Sequence, residues 1–71
     1  MPKIKQLKPK ELIKILEKQG FVHDRTTGSH MIFYNSVTGM RANVPFHLKE
    51  IPRGTLMSII RESGLSKDDF R

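Results

Sequence analysis

Residues 28–45 read Gly28-Ser29-His30-Met31-Ile32-Phe33-Tyr34-Asn35-Ser36-Val37-Thr38-Gly39-Met40-Arg41-Ala42-Asn43-Val44-Pro45. Ser29 to Tyr34 is rich in aromatic and β-branched residues and predicts a strand. Asn35 to Gly39 has the late glycine of a longer hairpin loop. From Met40 to Val44, the apolar Met40, Ala42 and Val44 alternate with Arg41 and Asn43, so one face of this strand is buried. Pro45, with no N–H, is expected to stop the ladder. The short loop makes the two strands antiparallel neighbours. Upstream, Phe21 to Arg25 reads as a further strand, with Thr26-Thr27-Gly28 as its turn.

Helices flank this region. Pro9 suits the first position of a helix, where its missing N–H costs nothing. Leu12, Ile15, Leu16 and Gln19 recur at helical spacing with Ile13 beside them, while Lys10, Lys14 and Lys18 line another face. Gly20 ends the helix. After an irregular stretch from Phe46 to Arg53, a second helix is expected from about Thr55 to Ser63. Its core stripe is Leu56, Ile59 and Ile60, and Gly64 closes it. Ser66-Lys67-Asp68-Asp69 resembles a capping box, and Phe70 is placed to pack back on the core. The fold class is α+β. One domain over residues 1–71 runs α-β-β-β-α, with a three-stranded antiparallel sheet carrying both helices on one face.

The chain has 71 residues, 13 Lys and Arg against 7 Asp and Glu, and a net charge of +6. At this length about 60% of the unfolded surface is buried on folding, so the core is thin and a large enclosed cofactor pocket is not expected. No organic cofactor is expected. The positive balance points to a polyanion partner, or simply to a lysine-rich soluble surface. There is no cysteine, which excludes disulfides and thiolate metal sites and fits a reducing cytoplasm. No apolar run has the ~20 residues a membrane span needs. The basic N-terminus has no long apolar stretch after it, so no signal peptide is read there.

Alternation puts Met31 and Phe33 on one side of their strand and His30, Ile32 and Tyr34 on the other. We assign Met31 and Phe33 to the interior because they supply the largest core volumes. His30 then leaves the open face directly after a glycine turn. Two readings stand: a surface histidine after an ordinary turn, or an imidazole that exchanges protons near neutral pH. Gly28 permits a tight turn or the close approach of a phosphate, and Ser29 offers a hydroxyl or an N–H to it. His47 follows the third strand, whose end can lie near the start of the second. It is either a loop histidine or a neighbour of His30. Two histidines suffice for metal-free RNA cleavage, one as base and one as acid. Arg53-Gly54-Thr55 opens the second helix, whose free N–H groups can hold a phosphate, with Arg53 adding an ionic contact. Arg41 and Lys49 are further candidates for backbone contacts, or plain solvated charges. His23 is read as structural or exposed. The histidines make no close ligand pair, so no metal site is expected.

These pieces together resemble the HicA family of bacterial toxins. Gly20-Phe21 closes the first helix, Gly28-Ser29-His30 opens the second strand, and Val44-Pro45-Phe46-His47 closes the third. Arg53-Gly54-Thr55-Leu56, Ile59-Ile60 and Gly64-Leu65-Ser66 form the second helix and its exit. The resemblance implies a fold similar to double-stranded-RNA-binding domains and the toxin of a type II toxin–antitoxin system. It implies an endoribonuclease that cleaves mRNA and arrests translation, neutralised by a HicB-type antitoxin. The family's catalytic histidine falls on His30. Where the family commonly has lysine, this chain has Arg53. A non-catalytic RNA-binding module of the same fold is the alternative.

Overall fold

The computed structural model describes residues 7–66. It runs α1 (Pro9–Lys18), β1 (Val22–Thr27), β2 (His30–Tyr34), β3 (Arg41–Pro45) and α2 (Arg53–Ser63). The strands form one antiparallel sheet in the order β1-β2-β3. The expected α+β class and α-β-β-β-α order are therefore those of the molecule.

In α1, Pro9 occupies the first turn and the Lys8 backbone N–H donates to Glu11 Oε1 at 2.9 Å. That bond satisfies one of the groups a helix start leaves unpaired. Leu12 and Leu16 are fully buried, Ile13 and Ile15 pack partly against them, and Lys10, Lys14 and Lys18 are exposed.

The first strand differs from expectation. It spans Val22–Thr27, Phe21 lies outside it in the core, and the turn is Gly28-Ser29 alone. Thr27 pairs with His30, so the connection has two residues. Gly28 has φ +57°, and among the described residues no non-glycine has a positive φ. That is the pattern of a II′ turn, whose twist matches the strands it joins and whose first central residue is glycine. The turn lets both threonines, β-branched and strand-favouring, extend the ladder. None of the six β1 residues is buried, so backbone pairing rather than core packing holds this strand.

The core lies under the other two strands. Met31 pairs with Val44 and Phe33 with Ala42. Phe33, Ala42 and Val44 are buried, and Met31 packs against them. The inward assignment of Met31 and Phe33 therefore stands. Both helices pack chiefly against β3. Pro45 does not stop the ladder short: it is the last residue of β3, paired with His30, and Phe46 N donates to Ser29 O at 3.1 Å. A proline is tolerated there because β3 is an edge strand. In the irregular stretch Ile51 is fully buried and its N–H donates to Leu7 O at 2.8 Å. α2 begins at Arg53, two residues before the expected Thr55, because Pro52 supplies the cap and its carbonyl accepts from Leu56 N. Leu56, Ile59 and Ile60 are buried as read, and Gly64 closes the helix in the left-handed region. Of the capping-box stretch expected after α2, Ser66 is described, whereas Lys67, Asp68, Asp69 and the following Phe70 lie outside the described residues.

Asn35 fastens the β2–β3 loop. It is 5% exposed. Its Oδ1 accepts from Val37 N at 2.9 Å and Thr38 N at 3.2 Å, and its Nδ2 donates to Gln19 O at 3.2 Å. One side chain thus joins the loop to the end of α1. Asn35→Ala leaves these partners unpaired in a partly buried place and should cost about 2 kcal/mol. With an m-value near ~1 kcal/mol per M, the urea midpoint falls by about 2 M. Equilibrium unfolding followed by circular dichroism measures it, and an unchanged midpoint contradicts the assignment.

Candidate active site

His30 is the first residue of β2 and is exposed. The two-residue turn delivers it, and the register sets it opposite Pro45. Residues at diagonal positions on one face of a sheet remain within reach of long side chains. Asn43 lies two residues before Pro45 and takes that diagonal position. Its Oδ1 is 2.9 Å from His30 Nδ1. An amide oxygen only accepts, so in the neutral ring Nδ1 carries the hydrogen. Nε2 therefore keeps its lone pair and can take a proton.

His47 comes two residues after β3, in a turn where Leu48 N donates to Pro45 O at 3.3 Å. Because Pro45 is opposite His30, this turn brings the second imidazole alongside the first. The ring centroids are 5.8 Å apart and the planes are inclined by 67°. The expected proximity of the two histidines is thus observed.

Both rings line an open groove of about 350 Å³. Pro45, Leu48 and Ile59 give it an apolar lining, while Asn43, Thr55, Ser58 and Glu62 supply polar groups. Thr55 belongs to the first turn of α2, where the N–H groups of Arg53, Gly54 and Thr55 precede the first helical bond from Leu56 N. Ser58 Oγ donates to Gly54 O at 3.2 Å, which leaves its oxygen lone pairs toward other partners.

The other expected RNA contacts are spread more widely. Gly28 and Ser29 are in the turn beside His30, and a Cβ on Gly28 would meet nothing within 4 Å. Arg41 is at the opposite end of β3, paired with Tyr34, its guanidinium 5.8 Å from that ring's centroid. Lys49 lines a second groove instead of the histidine groove. Arg53 is exposed at the first position of α2 and is not part of the groove wall. His23 bonds Thr26 Oγ1 at 2.8 Å and sets its ring 5.7 Å from that of Phe33, a structural placement. Among the described residues no three His, Cys, Asp or Glu side chains gather as a metal site needs.

The sequence reading passed over Asn43 as a partner of His30, and over Ser58 and Glu62. Alternation had marked Asn43 as outward-facing. A polar side chain two residues before the one opposite a candidate histidine was the available signal. The α2 residues carried none, since their approach to the groove depends on how the helix packs.

A small basic α-β-β-β-α domain with two histidines over an open groove is the class of protein these features define. A family model described as the HicA toxin of bacterial toxin–antitoxin matches residues 9–65. The chain belongs to the HicA toxin family, and is thus a toxin of the kind paired with an antitoxin. No curated protein matches it. No described helix is long and apolar enough to cross a membrane.

The Asn43 contact has a spectroscopic consequence. Nitrogen-15 shifts of neutral His30 should report the Nδ1–H tautomer in the native protein, and Asn43→Ala should abolish that preference. An Nε2–H ring in the native protein would overturn the assignment.

Proposed function

We propose that this protein is a metal-independent endoribonuclease acting on messenger RNA in the cytoplasm. Cleavage arrests translation, and a HicB-type antitoxin neutralises it. The observation that carries this reading is the exposed His30 ring, with Nδ1 held by Asn43 and His47 alongside. Hydrogen-bond reach is about 2.6–3.2 Å for each catalytic group, so rings 5.8 Å apart can address one phosphodiester seated in the groove. A net charge of +6 favours the encounter with RNA.

In the proposed reaction His30 Nε2 takes the proton of a ribose 2′-hydroxyl. The 2′-oxygen attacks the adjacent phosphorus in line and forms a new P–O bond. The bond from phosphorus to the 5′-oxygen breaks, and the imidazolium of His47 gives its proton to that oxygen. The product ends in a 2′,3′-cyclic phosphate, which water can open to a 3′-phosphate. Asn43 is a positioning residue, since it holds the His30 hydrogen on Nδ1. The N–H groups at the start of α2, beside Thr55, would stabilise the developing negative charge. Arg53 and Lys49, from outside the groove wall, would act on neighbouring phosphates, as would Arg41 at the far end of β3. Gly28 and Ser29 would let the strand pass close to the turn.

Purified protein should cut RNA in the presence of EDTA and leave unbroken an RNA carrying 2′-deoxyribose at the cleavage position. His30→Ala should slow cleavage by about 10²- to 10⁴-fold and relieve growth arrest on expression. Equal cutting by wild type and variant removes His30 from the mechanism. Bound but uncut RNA favours the non-catalytic module. Loss of cutting with EDTA overturns the metal-free reading.

Asn43→Asp sets a carboxylate against His30 Nδ1. A nearby negative charge favours the protonated imidazole, and a general base works only when deprotonated. The ascending limb of the pH–rate profile should therefore move to higher pH. An unmoved or lowered limb counts against His30 as the base.

A further inference from the structure

Beside the histidine groove lies a second one, of about 550 Å³. We propose that it is a nucleotide-binding subsite for single-stranded RNA running out of the His30 groove, with one base stacked on Phe46 and phosphates held by Lys8, Lys10 and Lys49. This deepens the preceding proposal and rests on its claim that RNA is the substrate.

Four observations converge. Phe46 lines this groove and is 42% exposed; it is the one aromatic among the large hydrophobic side chains that the described residues leave exposed. In so small a core, an uncovered phenyl ring forgoes burial worth about 25 cal/mol per Å². Second, the grooves are neighbours. Leu48 lines both, and Phe46 precedes His47 in the chain. A strand leaving the two imidazoles therefore meets Phe46 next.

Third, the wall is cationic. Lys8, Lys10 and Lys49 line it against one carboxylate, Glu11, which already accepts the Lys8 backbone N–H at 2.9 Å. Among the described residues the one ion pair is that of Arg25 with Asp24, so none of these lysines is paired. Fourth, two of the lysines sit at the wrong end of a helix. Lys8 is the N-cap of α1 and Lys10 is in its first turn, where the helix dipole disfavours cations. An anion bound there relieves both their mutual repulsion and the conflict with the dipole.

A phenyl face beside unpaired lysines suits an unstacked base with its phosphates, because every base presents a π-face. A duplex keeps its bases stacked inside and presents only backbone. The observations therefore favour a single strand.

The test uses a single-stranded 2′-O-methyl oligonucleotide of ten residues, which cannot be cut by a 2′-hydroxyl mechanism, with binding measured by fluorescence anisotropy. Phe46→Ala should weaken binding about tenfold, as loss of one base–aromatic stack does, and Phe46→Trp should restore it. Lys49→Gln should lower the slope of log affinity against log salt by about 0.7, one phosphate contact on a single strand. An RNA duplex of equal length should bind Phe46→Ala and wild type alike.

Native affinity in Phe46→Ala, or no recovery in Phe46→Trp, overturns the subsite and leaves the groove to a protein partner. Loss of duplex binding equal to loss of single-strand binding overturns it too. Oligonucleotide that is bound through Phe46 while natural RNA is never cut defeats the nuclease reading alone. Cleavage of natural RNA with Phe46 irrelevant to binding defeats the subsite alone.

Discussion

The antiparallel register of β2 on β3, with His30 opposite Pro45, is the constraint on which the candidate site depends. It puts Asn43 on the diagonal, where its oxygen meets Nδ1, and it brings the turn bearing His47 beside the first ring. A slip of one residue would send His30 to the other face of the sheet. What resists the slip lies on that other face: Phe33 against Ala42 and Met31 against Val44, in the apolar core beneath both helices. The packing of four apolar side chains thus sets the protonation geometry of one exposed imidazole.

The division of labour follows from size. A core this small covers only β2 and β3, and β1 rides outside it on backbone pairing. The candidate site lies at the rim, where α2 passes the end of β3 and leaves an open groove. An open groove suits a polymer, which enters from the side and needs no enclosed pocket. Positive charge is likewise not gathered at the histidines. Arg41 lies far along β3, and Lys8, Lys10 and Lys49 flank the neighbouring groove. Such a distribution fits a long polyanion better than a single small one.

Much of the fold was legible because it rests on local periodicity. The helical stripe Leu12, Ile15, Leu16 and the alternation Ala42, Asn43, Val44 each report a face directly. The misread places are those where a rule of thumb met a specific turn. Thr26 and Thr27 looked like turn residues beside Gly28, but a two-residue connection with positive φ at the glycine needs only Gly28-Ser29, so both threonines extend β1. Pro45 looked like a stop, yet an edge strand accepts proline at its end. Ile51 looked like part of a loop, yet it fills the core, because burial there depends on the loop pairing with Leu7 just ahead of α1 and not on any local repeat.

By itself the chain determined its element order, the two faces of β2, its basic character and the candidacy of His30. These depend on spacing between neighbours, which a linear chain displays. Only the tertiary structure decided that Asn43 holds the ring, that His47 stands beside it, that Thr55 and Ser58 border the groove, and that Arg53 and Lys49 do not. Those facts depend on register and helix docking, which join residues far apart in the chain through the shape of a shared core.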